Sequence, residues 1–423
     1  MDKALDLDRD KSGEQLHAER IQRMADAVAL KPTDRVPFSL FAHYWAATYA
    51  GISFKDAMYD ADAMMQATSD AVRYLQPDDY GPPANIVLGP TMEIMDFRQI
   101  EWPGHGVADD VAFQYLDKEY MAADEYDDYI YDPTGFFLRT YMPRLAGAFE
   151  VFAKLPDFAT HYQSKFVHSM AAFGDPDVIA GYERLIEAGK EMAATFGKMI
   201  AMMQELGAEG YPVHMGGRTG APFDHFADYL RGSKGAMLDM FRQPDKLLEA
   251  MDKSHRLLVR DPVATCKATG GKHLFIPLHW GLDGFMSPDQ FKVFYWPQLR
   301  RMILDIIEED LIPCVFWEGN CTSRLDLIGD IPKGKAIYWF EQTDLFDAKA
   351  ALGEIVCLRG NVPASMLATG TADEVDAYCK KIIQGVGRDG GLILDGSVGI
   401  PDEAKPENVL AISEASRKYS NGG

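Results

Sequence analysis

Seven short apolar runs in this sequence each end on a polar side chain able to do chemistry: His43, His214, His279, Glu318, Glu341, Asn361 and Asp395. Imidazoles and carboxylates together can pass protons to and from a reacting group. They can also hold a divalent metal that polarises one. His279 and Glu318 form the most suggestive pair. They lie 39 residues apart, the spacing of one strand-helix-strand unit. Glu341 ends the run that follows. Glu318, His279 and Glu341 are therefore the candidate catalytic groups, and His279, Glu318 and Asp395 the candidate metal donors. Strands often end on polar residues simply because they emerge into water, so the weight rests on the set.

The seven can meet only if the runs that carry them lie parallel and open on one mouth. Strand candidates are Val36 to Phe41, Tyr211 to His214, Lys272 to His279, Ile312 to Glu318, Ala336 to Glu341, Ile355 to Asn361 and Gly391 to Asp395. Helical stretches alternate with those of the second half, the pattern of βα units. Ser287-Pro288 reads as a helix start, and Pro297 should split that helical region in two. Leu345 to Leu352 is a helix that Gly353 stops. Thr371 to Glu374 is a capping box opening a helix that Gly385 closes. Residues 177–207 form a long helix with Leu185, Ala188, Met192, Phe196 and Met199 at helical spacing. A first helix spans about Glu14 to Leu30. Glu101 to Asp132, rich in Asp, Glu and Tyr, reads as an insertion or long loop. The expected fold is α/β, a (β/α)8 barrel with an N-terminal helical extension (1–34) ahead of the barrel domain (35–423). In such a barrel the strand ends converge at the C-terminal face.

The 423 residues suit a barrel with insertions, and 47% are hydrophobic. The formal charge of −22 disfavours a nucleic-acid partner. No run approaches a membrane span, and the charged start at Met1-Asp2-Lys3 is unlike a signal peptide. The five cysteines, Cys266, Cys314, Cys321, Cys357 and Cys379, suggest reduced thiols rather than a disulfide framework. The expected location is cytoplasmic.

Several segments then stand out together. Thr219-Gly-Ala-Pro-Phe-Asp224, continuing to Asp228-Tyr-Leu-Arg-Gly232, resembles the G-a-P-F-T…Y-l-x-G segment of uroporphyrinogen decarboxylase-like proteins. Ser287-Pro288 with Pro297, Arg359-Gly-Asn-Val-Pro363, Gly399-Ile-Pro401 and Pro406-Glu-Asn408 follow in that family's order. The resemblance covers about residues 35–415. It implies a barrel and one of two activities, tetrapyrrole decarboxylation or methyl transfer involving corrinoid proteins.

The decarboxylase pattern resembles P-V-W-x-M-R-Q-A-G-R near the first strand, where arginines neutralise a polyacid. Pro37 to Ala46 stands there instead, without either arginine, and the family's F-S-D segment has no clear counterpart near Pro82 to Leu88. Tetrapyrrole decarboxylation is thereby disfavoured. Thiol-methylating members carry a zinc motif resembling H-x-C with a distal Cys. Phe316 and Glu318 occupy the first two places, and the third falls near Asp395 to Val398 without a cysteine. Replacing thiolates by carboxylate and imidazole suits an oxygen-bearing substrate. The expected function is transfer of a methyl group from a small methoxylated, aromatic substrate to a corrinoid protein, an O-demethylation.

The resemblance implies a cobalamin-type corrinoid on a separate partner, since the D-x-H-x-x-G corrinoid pattern is missing here. Zinc is the candidate metal. His43, Tyr44, Trp45, His214, Arg218, Trp280, Trp317 and Asn361 are the candidate substrate contacts. Among them Arg218 suits a carboxylate, and the aromatic side chains suit a ring. Cys321 shares a loop with Glu318 and is a marginal ligand. Two further readings stand beside this one: a lyase or decarboxylase of a small aromatic acid, and a non-catalytic relative that only binds a ligand. No membrane partner is expected, and assembly into a homodimer is left open.

Overall fold

The apolar runs of the second half pair side by side in the order in which the chain meets them. The computed structural model describes residue 8 and residues 10–419. Its strands are β1 (Ser39–Leu40), β2 (Asp79–Tyr80), β3 (Ile100–Pro103), β4 (Gly106–Val107), β5 (Gln114–Tyr115), β6 (Met215–Arg218), β7 (His273–Leu278), β8 (Ile312–Trp317), β9 (Ile337–Phe340), β10 (Cys357–Arg359) and β11 (Leu392–Ile393). Strands β6 to β11 form one parallel sheet in sequence order. Parallel bridges from Phe38 to Leu394 and from Ala42 to Ile400 join β1 to the β11 edge, and β2 pairs with β1.

The seam between β2 and β6 is spanned by side chains. Asp79 Oδ1 accepts the His214 backbone N–H at 3.0 Å and lies 3.1 Å from that residue's Nδ1. The fold is thus α/β with a parallel sheet wound in series. Among the described residues, no backbone ladder joins β2 to β6 to complete the expected (β/α)8 barrel. Strands of two residues, as β1 and β2 are, offer too few backbone groups for one.

Alternation along each strand sorts its side chains. Phe275, Cys314, Phe316, Trp339 and Ile393 gather in one buried cluster, while their neighbours Leu274, Val315, Trp317 and Phe340 belong to the larger core. β7 is buried at every position, as a parallel strand covered on both sides must be. The first helix, Gly13–Val28, starts on a Ser12–Gln15 capping box. It places Met24, Ala27 and Val28 in the inner cluster. Arg23 ties it down through Asp34 and the fully buried Asp78, which Arg35 also binds.

Two expectations shift and a third is met. The strand expected at Tyr211 to His214 lies four residues later, at Met215–Arg218. There Gly216 and Gly217 pass so close to Gly271 and Cys266 that a Cβ would collide. Residues 101–132 are no simple loop. They contribute to the sheet β4-β3-β5 and form a helix, Tyr126–Tyr131. The helix expected after Ser287 begins on the foreseen cap, opens into a wide turn at Phe291–Tyr295, and restarts at Trp296 with Pro297 in its first turn. The long helix runs Pro176–Ala208, and the later helices at Leu345–Leu352 and Ala372–Gly385 lie where expected.

Candidate active site

Beyond the C-terminal ends of β6, β7 and β8 lies a cavity of about 440 Å3. Phe41, Phe275 and Phe316 rise into it from the strands. Phe113, Tyr115 and Leu116 line it from the segment that includes β5, and Tyr229 and Trp280 are among the other apolar lining residues. The polar lining is His43, Asn85, Asp117, Arg218, Asp228, His279 and Glu318.

His279 follows β7 directly, and its backbone N–H donates to Asp224 Oδ2 at 2.8 Å. Its Nδ1 lies 2.6 Å from Asp228 Oδ2, and its Nε2 3.4 Å from Glu318 Oε1. The ring is thus held between two carboxylates. Burial alone would strip its proton, but the hydrogen bonds to Asp228 and Glu318 and the charges of Asp228 and Asp224 raise its pKa to about 11. At neutral pH His279 is an imidazolium that donates from Nδ1 to Asp228 and turns Nε2 toward Glu318.

The surroundings fix that geometry. Trp280 Nε1 donates to Asp228 Oδ1 at 2.6 Å, which sets the rotamer of the carboxylate. Asp224 is buried, and Tyr295 O–H donates to its Oδ2 at 2.8 Å. Burial, then the neighbouring Asp228 charge, push the Asp224 pKa upward. Among the described residues its Oδ1 has no hydrogen-bond partner. Glu318 leaves β8 just before Gly319, whose positive φ of 67° suits glycine.

Glu341 belongs behind this site. Its Oε2 accepts the Gly319 N–H at 2.6 Å, so it steadies the loop of Glu318 and does not line the cavity. Cys321 is buried, and burial pushes its thiol up to about 12, so it offers no thiolate.

The other candidates divide clearly. His43 opens on the cavity, edge-on to Phe41 at 5.2 Å. Burial, then the Arg218 charge, lower its pKa, so it stays neutral. The Arg218 side chain reaches the cavity and, among the described residues, has no ion pair or hydrogen bond. Trp280 also lines the cavity.

Tyr44 does not line the cavity: it is buried and stacked on Phe54 at 4.4 Å. Trp45 is a core residue donating to the Ala404 carbonyl. Trp317 points away, because a strand turns successive side chains to opposite faces and Phe316 and Glu318 take the cavity side. His214 sits at the other end of the strands, beside Asp79 and stacked on His273 at 5.1 Å. Asn361 is spent on Thr343 O and Tyr378 O–H.

Asp395 is not available as a metal donor. Arg359 Nε and Nη2 both donate to its Oδ2, at 2.9 and 2.6 Å, and the pair is fully buried. Among the described residues no three His, Cys, Asp or Glu side chains are grouped to share a metal. The zinc expectation therefore lacks a fitting donor set.

Asp224, Asp228 and Tyr295 were not foreseen. The two aspartates stand four apart at the helical turn after β6, a spacing that puts carboxylates on one helix face.

Comparison with known proteins supplies a second line. The sequence model described as uroporphyrinogen decarboxylase (URO-D) matches residues 173–419. The uroporphyrinogen decarboxylase of Idiomarina loihiensis is 28% identical over 157 residues, 36% of this chain and 42% of that enzyme. The enzyme of Vibrio vulnificus is 26% identical over 189 residues, 43% of this chain and 52% of its own. The chain thus spans about half the length, or less, of these curated relatives. A methyltransferase from Methanosarcina mazei superposes with a TM-score of 0.62 at 15% identity, covering 95% of this chain and 98% of its own. That likeness is one of fold.

Proposed function

The chain belongs to the uroporphyrinogen decarboxylase family, whose sequence model covers more than half of it, and from that premise we propose that it is a methyltransferase acting on a methoxylated aromatic acid. The methyl acceptor is the reduced cobalt of a corrinoid carried by a separate protein, which supplies the nucleophile. The observation that carries this reading is the His279 imidazolium held between Asp228 and Glu318 in an aromatic-walled cavity that also holds the unpaired Arg218.

An aryl methyl ether leaves as a phenolate, a poor leaving group unless its charge is met as it forms. The ring packs against Trp280, Tyr229 and Phe316, and its carboxylate binds Arg218. His279 Nε2 turns its N–H from Glu318 to the ether oxygen. The carbon–oxygen bond breaks with its electron pair staying on oxygen, and the His279 proton follows, so that a phenol departs. A pKa of about 11 keeps the ring protonated at neutral pH and lies close to that of a phenol, about 10. Asp228 holds Nδ1 throughout and stabilises the charged ring. Glu318, partly exposed, returns a proton from solvent. No step runs through a metal.

The decarboxylase names of the curated relatives make loss of carbon dioxide from a small acid the rival activity. Against a polyacid stand Asp117, Asp228 and Glu318 in the lining, with Arg218 as the cavity's unpaired cation. The test is to incubate the protein with methoxybenzoates and a reduced corrinoid protein and to follow methyl-cobalt absorbance and free phenol. Phenol formed in step with methyl-cobalt supports the reading. Carbon dioxide released without any corrinoid, or no turnover across the substrates, overturns it.

A further inference from the structure

The helix Pro176–Ala208 carries two apolar faces, and the chain uses one of them. Ala188, Thr195, Met199 and Leu206 are buried against the rest of the molecule. On the other side Ile179, Ile186, Phe196 and Ile200 are 45%, 56%, 44% and 52% exposed. Between them lie Gly189, Ala193 and Gly197, also exposed. A Cβ added at Gly189 or Gly197 would meet nothing within 4 Å, so nothing inside the chain requires glycine there. An exposed glycine in mid-helix weakens the helix relative to alanine. Two of them, on a stripe of exposed Ile and Phe, are explained by a close neighbour that the chain itself does not provide.

The stripe is close to symmetric about Ala193. Gly189 and Gly197 lie four residues to either side, and Ile186 and Ile200 seven. A copy of the same helix, antiparallel about a two-fold axis through Ala193, would set each glycine against the other glycine of the partner. It would set each isoleucine against the other isoleucine. Self-complementarity of this kind is what an isologous interface demands, and an unrelated partner has no reason to match it. The small residues let the two backbones approach at the crossing.

The patch continues off the helix. Phe173 packs against Tyr182 with ring centroids 5.9 Å apart, and Phe166, Val167 and Met170 nearby are 46%, 68% and 40% exposed. Eight such side chains, about half exposed at roughly 200 Å2 each, leave about 800 Å2 of apolar surface. A stable interface needs about 800 Å2 per partner, and monomers rarely expose so much in one patch.

We propose that the chain forms a two-fold dimer through the outer face of helix Pro176–Ala208, with the antiparallel helices crossing at Ala193. The inference does not depend on the methyl-transfer reading. The test is sedimentation velocity of the full chain, together with Ala193→Glu and Ala193→Cys. The wild type should sediment as a dimer at micromolar concentration. Ala193→Glu brings two like charges to the axis and should yield a folded monomer, with circular dichroism unchanged. Ala193→Cys should cross-link two chains under mild oxidation. Ile179→Cys, whose copies would lie about 42 Å apart along the crossing helices, should not. A wild-type monomer, a dimer that survives Ala193→Glu, or cross-linking at position 179 but not 193 would each overturn the proposal. A monomer that instead loses binding of its corrinoid protein on Ala193→Glu would assign the face to that partner and overturn it too.

Discussion

Replacing Asp228 by Asn removes one negative charge from beside His279 while keeping the shape of the side chain and an oxygen for Trp280 Nε1. The rise of the His279 pKa from 6.5 to about 11 corresponds to roughly 6 kcal/mol in favour of the charged ring. Two carboxylates, Asp228 at 2.6 Å and Glu318 at 3.4 Å, share that effect, and the nearer has the larger part. Loss of Asp228 should therefore remove at least about 3 kcal/mol and lower the titration by two pH units or more. The sign follows from linkage. A histidine with a raised folded pKa stabilises the native state fully below about pH 6.5, and loses that contribution as pH rises toward 11. The stabilisation thus spans neutral pH in the wild type and should shrink in Asp228→Asn. Histidine NMR reads the ring directly. The wild-type signal should stay protonated from pH 6 to 9, while in the variant it should titrate near or below about pH 9. Methyl transfer measured against pH should lose its alkaline limb in parallel. A wild-type ring that is neutral at pH 7, or an Asp228→Asn protein with unchanged titration and unchanged rate, would refute the imidazolium assignment.

The remaining expectations concern separate parts of the molecule. Glu318→Gln should cut methyl transfer by about 10²-fold, the scale of losing a proton-transfer group, with the thermal midpoint nearly unchanged in calorimetry. Arg218→Gln should raise KM for a methoxybenzoate by about ten- to a hundredfold, the worth of a charge-assisted hydrogen bond. It should leave the KM of a neutral methoxyarene alone. Arg359→Met strands Asp395 in the fully buried inner cluster and should cost about 3–5 kcal/mol in urea unfolding, although neither residue lines the cavity.

How much of this could be read in the sequence depends on which physical signal each element carries. β7 and β8 are buried apolar runs, bounded by a helix on either side, and that pattern is unmistakable. β6 is Met215-Gly216-Gly217-Arg218, which has almost no strand propensity. It is held extended by close approach to the helix Pro244–Thr269, a tertiary fact that no local window contains. β2, two residues long, pairs through Asp79 and Tyr80 in register with Ser39 and Leu40, and its pairing is equally non-local. The long helix shows the opposite failure. Its periodicity is strong, yet spacing alone does not tell a face packed inside the chain from one left outside. Phe196 was grouped with the buried Ala188 and Met199 and instead lies exposed.

The site divides along the same line. His279 and Glu318 come together because adjacent parallel strands deliver their ends to one place, so a register argument suffices. The same alternation sends Trp317 outward between Phe316 and Glu318, a consequence that proximity in sequence to Glu318 obscures. The charge state of His279 follows from neither. It is set by Asp228 and Asp224, from the turn after β6, and those residues end no strand. A histidine at a strand end is an acid, a base or a ligand according to what faces its second nitrogen. Here that partner is a carboxylate oriented by Trp280. The chemistry assigned to His279 therefore rests on a residue four positions into a helical turn, and any relative lacking a carboxylate at that place should release its histidine proton at a lower pH.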